Sequence, residues 1–293
     1  MHDIKFIKKN PELFDSYLKK RNLEPCSKDL IEVHDKYLEL LNKKQNLQEE
    51  KNILSKSFSK KEADISLIKN KVHSLKEEID ETNVLSEKKL QEFNNIMLQV
   101  PNIVLDKVPC GINENDNVIL KQVGEIKKYN FKPKNHLELA ESLDLIDYEK
   151  AIKISGSRFS ILKKELALLY RGLINFMLDN NTNEFFYEEL IVPELVKSDA
   201  LIGTGQLPKF DDDLFKTTFN DLYLIPTSEV PLTNLYRESI LNKNKIPLRF
   251  TTFSNCFRSE AGASGMDTKG LMREHQFGKV ELVAVAEPDE SMN

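Results

Sequence analysis

The sequence predicts an α+β fold: a long antiparallel α-helical hairpin of coiled-coil type, followed by a mixed or antiparallel sheet flanked by helices. Three observations predict it. No glycine or proline occurs between Cys26 and Val100, and the first glycine of the chain is Gly111. Within that breaker-free span apolar residues recur at alternating spacings of three and four. Beyond it, short runs rich in β-branched and aromatic residues alternate with glycine-containing loops.

The first helix carries Leu30, Val33, Tyr37, Leu40, Leu47, Leu54 and Phe58 along one seam, with Lys44 and Lys51 at the intervening seam positions. The second carries Ile65, Ile68, Val72, Leu75 and Ile79, then Phe93, Ile96 and Val100, with the polar Thr82 and Ser86 between. The polar stretch from Ser59 to Asp64 interrupts the pattern, so the simplest object is two helices joined by a tight turn. At about 1.5 Å per residue such helices make a rod roughly 45 to 50 Å long. Polar seam residues weaken the contact but help to set its register. Exposed lysines, including Lys60 and Lys61 at the tip, suit phosphate contacts, although a hairpin of this kind serves dimerisation or spacing equally well.

Pro101 closes the second helix, and residues 101 to about 135 read as linker and short strands. A helix is expected over Lys163 to Asn180, where Leu162, Leu166, Leu169, Leu173 and Phe176 share a face. Strands are expected at Glu188 to Val192, Leu222 to Ile225, Leu248 to Phe257 and Gln276 to Val285. The 293 residues suffice for two domains, divided here as 1–107 and 108–293.

Composition excludes more than it identifies. With 40% apolar and 30% charged residues, no long uncharged apolar run and no basic-then-apolar start, the chain reads as cytoplasmic. Its three cysteines, Cys26, Cys110 and Cys256, have neither disulfide-framework nor zinc-site spacing. A net charge of -5 argues against indiscriminate coating of nucleic acid but not against a local grip on one folded RNA. The phosphate cradles GxGxxG and GxxxxGK[ST] are absent, so any nucleotide must be held differently.

The chemistry concentrates in Phe257-Arg258-Ser259-Glu260, a loop carrying Gly262, Gly265 and Gly270, and the run from Met272 to Glu281 (MREHQFGKVE). Read as a hairpin, period-two alternation puts Arg258 and Glu260 on one face of the first strand and Arg273, Phe277 and Glu281 on one face of the second. If the faces coincide, two guanidiniums, two carboxylates and an aromatic ring share a shelf. That combination suits ATP: Arg forks for the phosphates, a flat apolar ring for the adenine, and a carboxylate for its exocyclic amine. A hairpin with an exposed charge ladder and one core Phe is the alternative for a generic Arg-x-Glu. His275 falls in the same run without a clear acid–base task and reads as structural or supportive.

Phe257-Arg258-Ser259-Glu260, a loop, then Arg273 and Phe277 resemble motif 2 of class II aminoacyl-tRNA synthetases. Pro226 to Asn234 (PTSEVPLTN), with Thr227, Ser228 and Glu229, is similar to the serine-binding TxE element of the seryl-tRNA synthetase family. Gly203 to Phe210 (GTGQLPKF), Phe257 to Gly262 (FRSEAG) and the N-terminal hairpin resemble the same family. Asn183 to Leu195 resembles motif 1, with Pro193 as the matching dimer-interface proline, but Phe186 stands where the family often has glycine.

The resemblance implies an incomplete class II synthetase-type antiparallel sheet flanked by helices at 108–293, and a tRNA-binding arm at 1–107. It implies a homodimer that activates serine with ATP and Mg²⁺ and charges tRNA(Ser), with tRNA(Sec) as a further acceptor. Arg258 would be the catalytic residue, contacting the α-phosphate and the serine carboxylate. Thr227, Ser228, Glu229, Arg258 and Glu281 would surround serine. Arg258, Ser259, Glu260, Arg273 and Phe277 would hold ATP, whose phosphates rather than side chains would carry the metal. No segment resembling motif 3 follows before Asn293, so the expectation is a truncated chain with little activity alone.

Overall fold

The computed structural model describes residues 2–57, 65–262 and 271–291. The expected hairpin tip, with Phe58, Lys60, Lys61 and the side chain of Ile65, lies outside the described residues, as do the loop glycines Gly265 and Gly270. The chain forms two compact units, Met1–Glu125 and Ile126–Asn293.

In the first unit, α1 (Ile4–Lys9) and α2 (Pro11–Lys20) precede the long helices α3 (Ser27–Ser57) and α4 (Ile65–Gln99). Pairing across the hairpin is antiparallel: Lys43 bridges to Glu78 at 2.8 Å and Glu50 to Lys71 at 3.2 Å, so one number rises as the other falls. The seam follows the heptad reading, with Leu30, Leu75, Ile79 and Phe93 buried. Thr82 and Ser86 are buried in it too, and the Lys44 ammonium crosses to the Asn83 amide oxygen. At the last turn of α4, Met97 is buried more deeply than the expected Ile96.

The two short N-terminal helices were not anticipated from the sequence. They plug the open end of the hairpin: Ile7, Phe14 and Leu18 join Leu30, Phe93 and Met97 in one cluster. Fully burying an aromatic or branched side chain such as Phe14 or Ile7 contributes about 1.5 to 3 kcal/mol. Asp15 locks the junction by accepting from the Ser27 amide at 3.0 Å and the Ser27 hydroxyl at 2.6 Å, which supplies the start of α3 with a cap.

The second unit contains α5 (His136–Ser142), α6 (Tyr148–Ser155), α7 (Lys164–Asn183), β1 (Glu188–Glu189), β2 (Leu195–Lys197), α8 (Ser198–Gly203), β3 (Leu222–Leu224), α9 (Glu229–Asn234), β4 (Leu248–Phe257) and β5 (Gln276–Val285). One sheet has the order β1-β4-β5, with β1 parallel and β5 antiparallel to β4. The other pairs β2 with β3. Strands β4 and β5 have the expected bounds, whereas β1 is shorter than expected and β2 was missed. No strand forms over 101–135, where Val118, Ile119 and Leu120 are exposed. A core of Val196, Leu201, Leu207, Leu214, Tyr223, Ile225 and Val230 sits around the small sheet.

Helix α7 lies against β4 and β5, and Gly278 is the condition for that approach. A Cβ there would fall 1.8 Å from the Tyr170 hydroxyl oxygen and 2.8 Å from the Phe253 ring. The expected apolar face of α7 is real but largely uncovered by the described residues: Leu169, Leu173 and Phe176 are exposed. Phe186, which stands where the family that the sequence resembles often has glycine, has φ +57° and is 79% exposed. The backbone at that position therefore still takes the left-handed conformation that glycine adopts without a Cβ penalty.

Candidate active site

The site grows from the register of β4 and β5. Thr252 faces Glu281, Ser254 faces Lys279 and Cys256 faces Phe277, so these six side chains share one face of the sheet. The turn at Pro226 to Glu229 meets that face. There Ser228 is fully buried with its hydroxyl 2.7 Å from Ser254 Oγ, and Thr227 donates its hydroxyl to Glu281 Oε2 at 2.8 Å.

Strand alternation does not reach Arg258, Glu260 or Arg273, because β4 ends at Phe257 and β5 begins at Gln276. Glu260 has φ +50°, which breaks the extended chain. Specific bonds bring these residues together instead. The Arg258 amide donates to the His275 carbonyl at 3.0 Å, and the Ser259 amide to the Asp213 carbonyl at 3.0 Å. The Ala261 amide donates to Asp213 Oδ1 at 2.9 Å, and Arg158 Nη1 to the Glu260 carbonyl at 3.0 Å. The expected convergence is met in part: Arg258, Glu260 and Arg273 come together through loop bonding rather than pleat, whereas Phe277 lines the cavity beside Tyr170 and Glu281 lines neither concavity.

Thr227, Arg258, Glu260 and Arg273 line one cleft of about 320 Å³, with Gln206, Phe210 and Asp213. Arg258 is aimed by a 3.3 Å bond from Nε to the Pro226 carbonyl, and its guanidinium lies 5.1 Å from the centre of the Phe277 ring. Arg273 pairs with Glu260 at 3.2 Å. Two cations, Arg258 held by Pro226 and the more exposed Arg273, thus stand in a concavity with one carboxylate and an aromatic ring at hand, an arrangement fit for a polyphosphate attached to a flat heterocycle.

Other expected residues fall elsewhere. Ser228 does not line the cleft, since its side chain is spent on Ser254, and the Ser259 hydroxyl donates to the Asp212 carbonyl. Both hold loops in place. Glu229 is exposed at the start of α9, with no ion pair on its carboxylate among the described residues and its amide donating to Thr227 Oγ1 at 3.2 Å. His275 is structural: its Nδ1 lies 2.9 Å from the Arg258 carbonyl and its ring packs against Phe159 and Phe215. Pro193 is exposed, while the neighbouring Glu194 carboxylate accepts from the Asn255 amide at 2.8 Å.

Sequence reasoning passed over Lys279, Asp213 and Arg158. The signal for Lys279 was available, because it lies between Phe277 and Glu281 at strand period. Asp213 and Arg158 gave none, since nothing local reveals a bond spanning tens of residues. A larger cavity of about 460 Å³ lies against α7, lined by Phe159, Leu162, Tyr170 and Glu274 among others. Burial pushes the Glu274 carboxyl up from its ordinary range, against a lowering hydrogen bond from Ser160.

Comparison with known proteins finds two family models in the chain. Residues 1–104 match the seryl-tRNA synthetase N-terminal domain, and residues 212–293 match the class II tRNA synthetase core domain of the G, H, P, S and T enzymes. The serine–tRNA ligase of Wolbachia pipientis subsp. Culex pipiens is 45% identical over 295 residues, covering 99% of this chain and 69% of that protein. That of Brucella suis is 44% identical over 297 residues, covering 100% and 69%. Among solved structures, seryl-tRNA synthetase from Pyrococcus horikoshii complexed with ATP superposes with a TM-score of 0.85 at 32% identity, over 100% of this chain and 71% of that one. The cytoplasmic serine–tRNA ligase of Naegleria fowleri in complex with AMP gives 0.79 at 26% identity, over 98% and 68%.

Proposed function

The chain belongs to the seryl-tRNA synthetase family of ATP-dependent class II aminoacyl-tRNA ligases, and from that premise we propose how its own residues divide the work. The observation that carries the reading is the single cleft lined by Thr227, Arg258, Glu260 and Arg273. Arg258 is the catalytic residue, touching both the α-phosphate and the serine carboxylate and balancing the charge that grows as carboxylate oxygen attacks phosphorus and pyrophosphate leaves. Glu260 accepts from the adenine amine, Phe277 offers its ring, and Arg273 turns from Glu260 toward the distal phosphates. Ser259 contributes by holding its loop on Asp212 and Asp213.

Serine is the amino acid. Thr227, Glu229 and Glu281 surround it, with Ser228 fastening the turn that carries the first two. A site that bonds the substrate hydroxyl rejects alanine because buried polar groups would be left unpaired. Mg²⁺ fits as an ion carried by the triphosphate, since the cleft carboxylates Glu260 and Asp213 are engaged with Arg273 and the Ala261 amide. A hydroxyl of the tRNA 3′ ribose then attacks the seryl carbonyl, the acyl–phosphate bond breaks, and AMP leaves with its phosphate taking the hydroxyl proton; catalysis is positioning plus electrostatics with no covalent enzyme intermediate.

Residues 1–107 act as the arm that binds tRNA(Ser), and tRNA(Sec) in the same manner, while 108–293 carry activation. Two chains associate through the surface that includes Pro193; the exposed Phe185, Phe186 and Ile191 nearby support this. No described helix is long and apolar enough to cross a membrane, and the cytoplasm is the compartment that supplies these substrates. The test is amino-acid-dependent ATP–pyrophosphate exchange with this sequence extended to the length of its relatives, serine against threonine, alanine and proline. Preferential activation of another amino acid would sink the reading. Deleting residues 30–98 should abolish charging yet spare exchange; equal loss of both would remove the arm assignment.

A further inference from the structure

Lys279 closes a triangle that the roles above leave unexplained. Its ammonium donates to Thr227 Oγ1 at 3.0 Å and pairs with the same Glu281 oxygen, Oε2, that accepts the Thr227 hydroxyl at 2.8 Å. The Thr227 hydroxyl, 5% exposed at the residue level, also accepts from the Glu229 amide at 3.2 Å. A hydroxyl has one proton and two lone pairs, so Thr227 is saturated and Glu281 is fixed in orientation.

Two carboxylates, Glu229 and Glu281, face the two hydrogen-bonding needs of serine, its ammonium and its hydroxyl. They are not equivalent. The Glu281 side chain is 17% exposed and already has a cation beside it, whereas Glu229 is exposed and has no ion pair among the described residues. A carboxylate neutralised by an internal ammonium is a poor counter-ion for a second ammonium but remains a good acceptor for a neutral hydroxyl through its other oxygen. We propose that Lys279 is a specificity-determining positioning residue: by occupying the cationic place on Glu281, it reserves Glu281 Oε1 for the substrate hydroxyl and leaves the substrate ammonium to Glu229. The inference rests on the serine reading above and adds the residue that makes the site read a hydroxyl.

The test uses two stable adenylate mimics, seryl- and alanyl-sulfamoyl adenosine, titrated calorimetrically against this sequence extended to the length of its relatives and against its K279M, K279Q and K279R variants. Without the charge on residue 279, Glu281 attracts the ammonium of either mimic. K279M and K279Q should therefore lower the preference for the seryl mimic by about tenfold or more, which is about 1.4 kcal/mol, while the alanyl mimic binds no more weakly than before. K279R, which keeps the charge, should retain most of the preference. A general loosening would weaken both mimics alike, and that result would overturn the proposal. So would parental discrimination in K279Q, because a neutral donor would then suffice. If K279M does not fold, K279Q and K279R still decide between charge and hydrogen bond. Failure of the unaltered chain to bind the seryl mimic would remove the serine reading and this inference with it, whereas unchanged discrimination in every variant would remove the inference alone.

Discussion

The hairpin and the cleft are stabilised in opposite ways. Along α3 and α4 one rule repeats: a seam residue every three or four positions, each packed by neighbours a turn away, with Lys43–Glu78 and Glu50–Lys71 holding the flanks. The cleft has no repeating rule. Arg258 depends on Pro226 and His275, Ser259 on Asp212 and Asp213, and Glu260 on Arg158, so each functional group is placed by a partner far along the chain. A periodic structure tolerates local exchange, whereas a structure of single bonds concentrates consequence at a few residues.

The largest expected effect tests that concentration. Gly278→Ala should destabilise the second unit by about 3 kcal/mol, since the added methyl meets Tyr170 and Phe253 in a packed interface. Thermal unfolding followed separately for each unit should show the hairpin unaffected, and Tyr170→Phe should recover part of the loss by removing the nearest atom. An unaltered melting temperature would mean that α7 yields easily.

In the hairpin, Thr82→Val replaces a buried polar seam residue by an apolar one of similar shape and should add about 1 kcal/mol to the arm's stability in denaturant titration. The matching loss would be in register, detectable by exchange of the Lys44–Asn83 pairing for another. A destabilised arm would show that the hydroxyl supports the seam.

Glu274 gives a pH signature. Burial raises its folded pKa above the ordinary 4.5, and Oε1 has no hydrogen-bond partner. The protonated form is favoured in the fold, so its contribution is fully present below 4.5 and is lost as pH rises through the folded value. Glu274→Gln should accordingly raise stability at neutral pH, with the gain vanishing on acidification. A gain that does not depend on pH would point to packing instead.

The smallest effect is at Phe186. Replacing it with glycine relieves a left-handed backbone but frees the unfolded chain, for a net gain of about 0.5 to 1 kcal/mol in the second unit. Loss of stability would mean that the exposed ring is covered by a second chain, and sedimentation with and without the change separates the two.

Legibility followed the same contrast. The seam of the hairpin, the bounds of β4 and β5 and the pairing of Phe277 with Glu281 on one face were readable because each depends on residue spacing along one element. The N-terminal plug was not, because Ile7 and Phe14 acquire their partners only when α1 and α2 fold back on α3 and α4. Alternation also put Arg258 and Glu260 together for the wrong reason, since the strand had already ended. Lys279 was passed over although its parity was plain.

The sequence by itself determined which residues are candidates for the chemistry, through local periodicity and the motifs around Thr227, Arg258 and Phe277, because those signals are written in the order of neighbours. Only the tertiary structure decided how they act together: that Ser228 and Ser259 support loops, that Glu260 leans on Arg273, and that Lys279 joins Thr227 to Glu281. Those are bonds between residues distant in the chain, and such bonds exist only once loop closure has been driven by burial of the core beneath them.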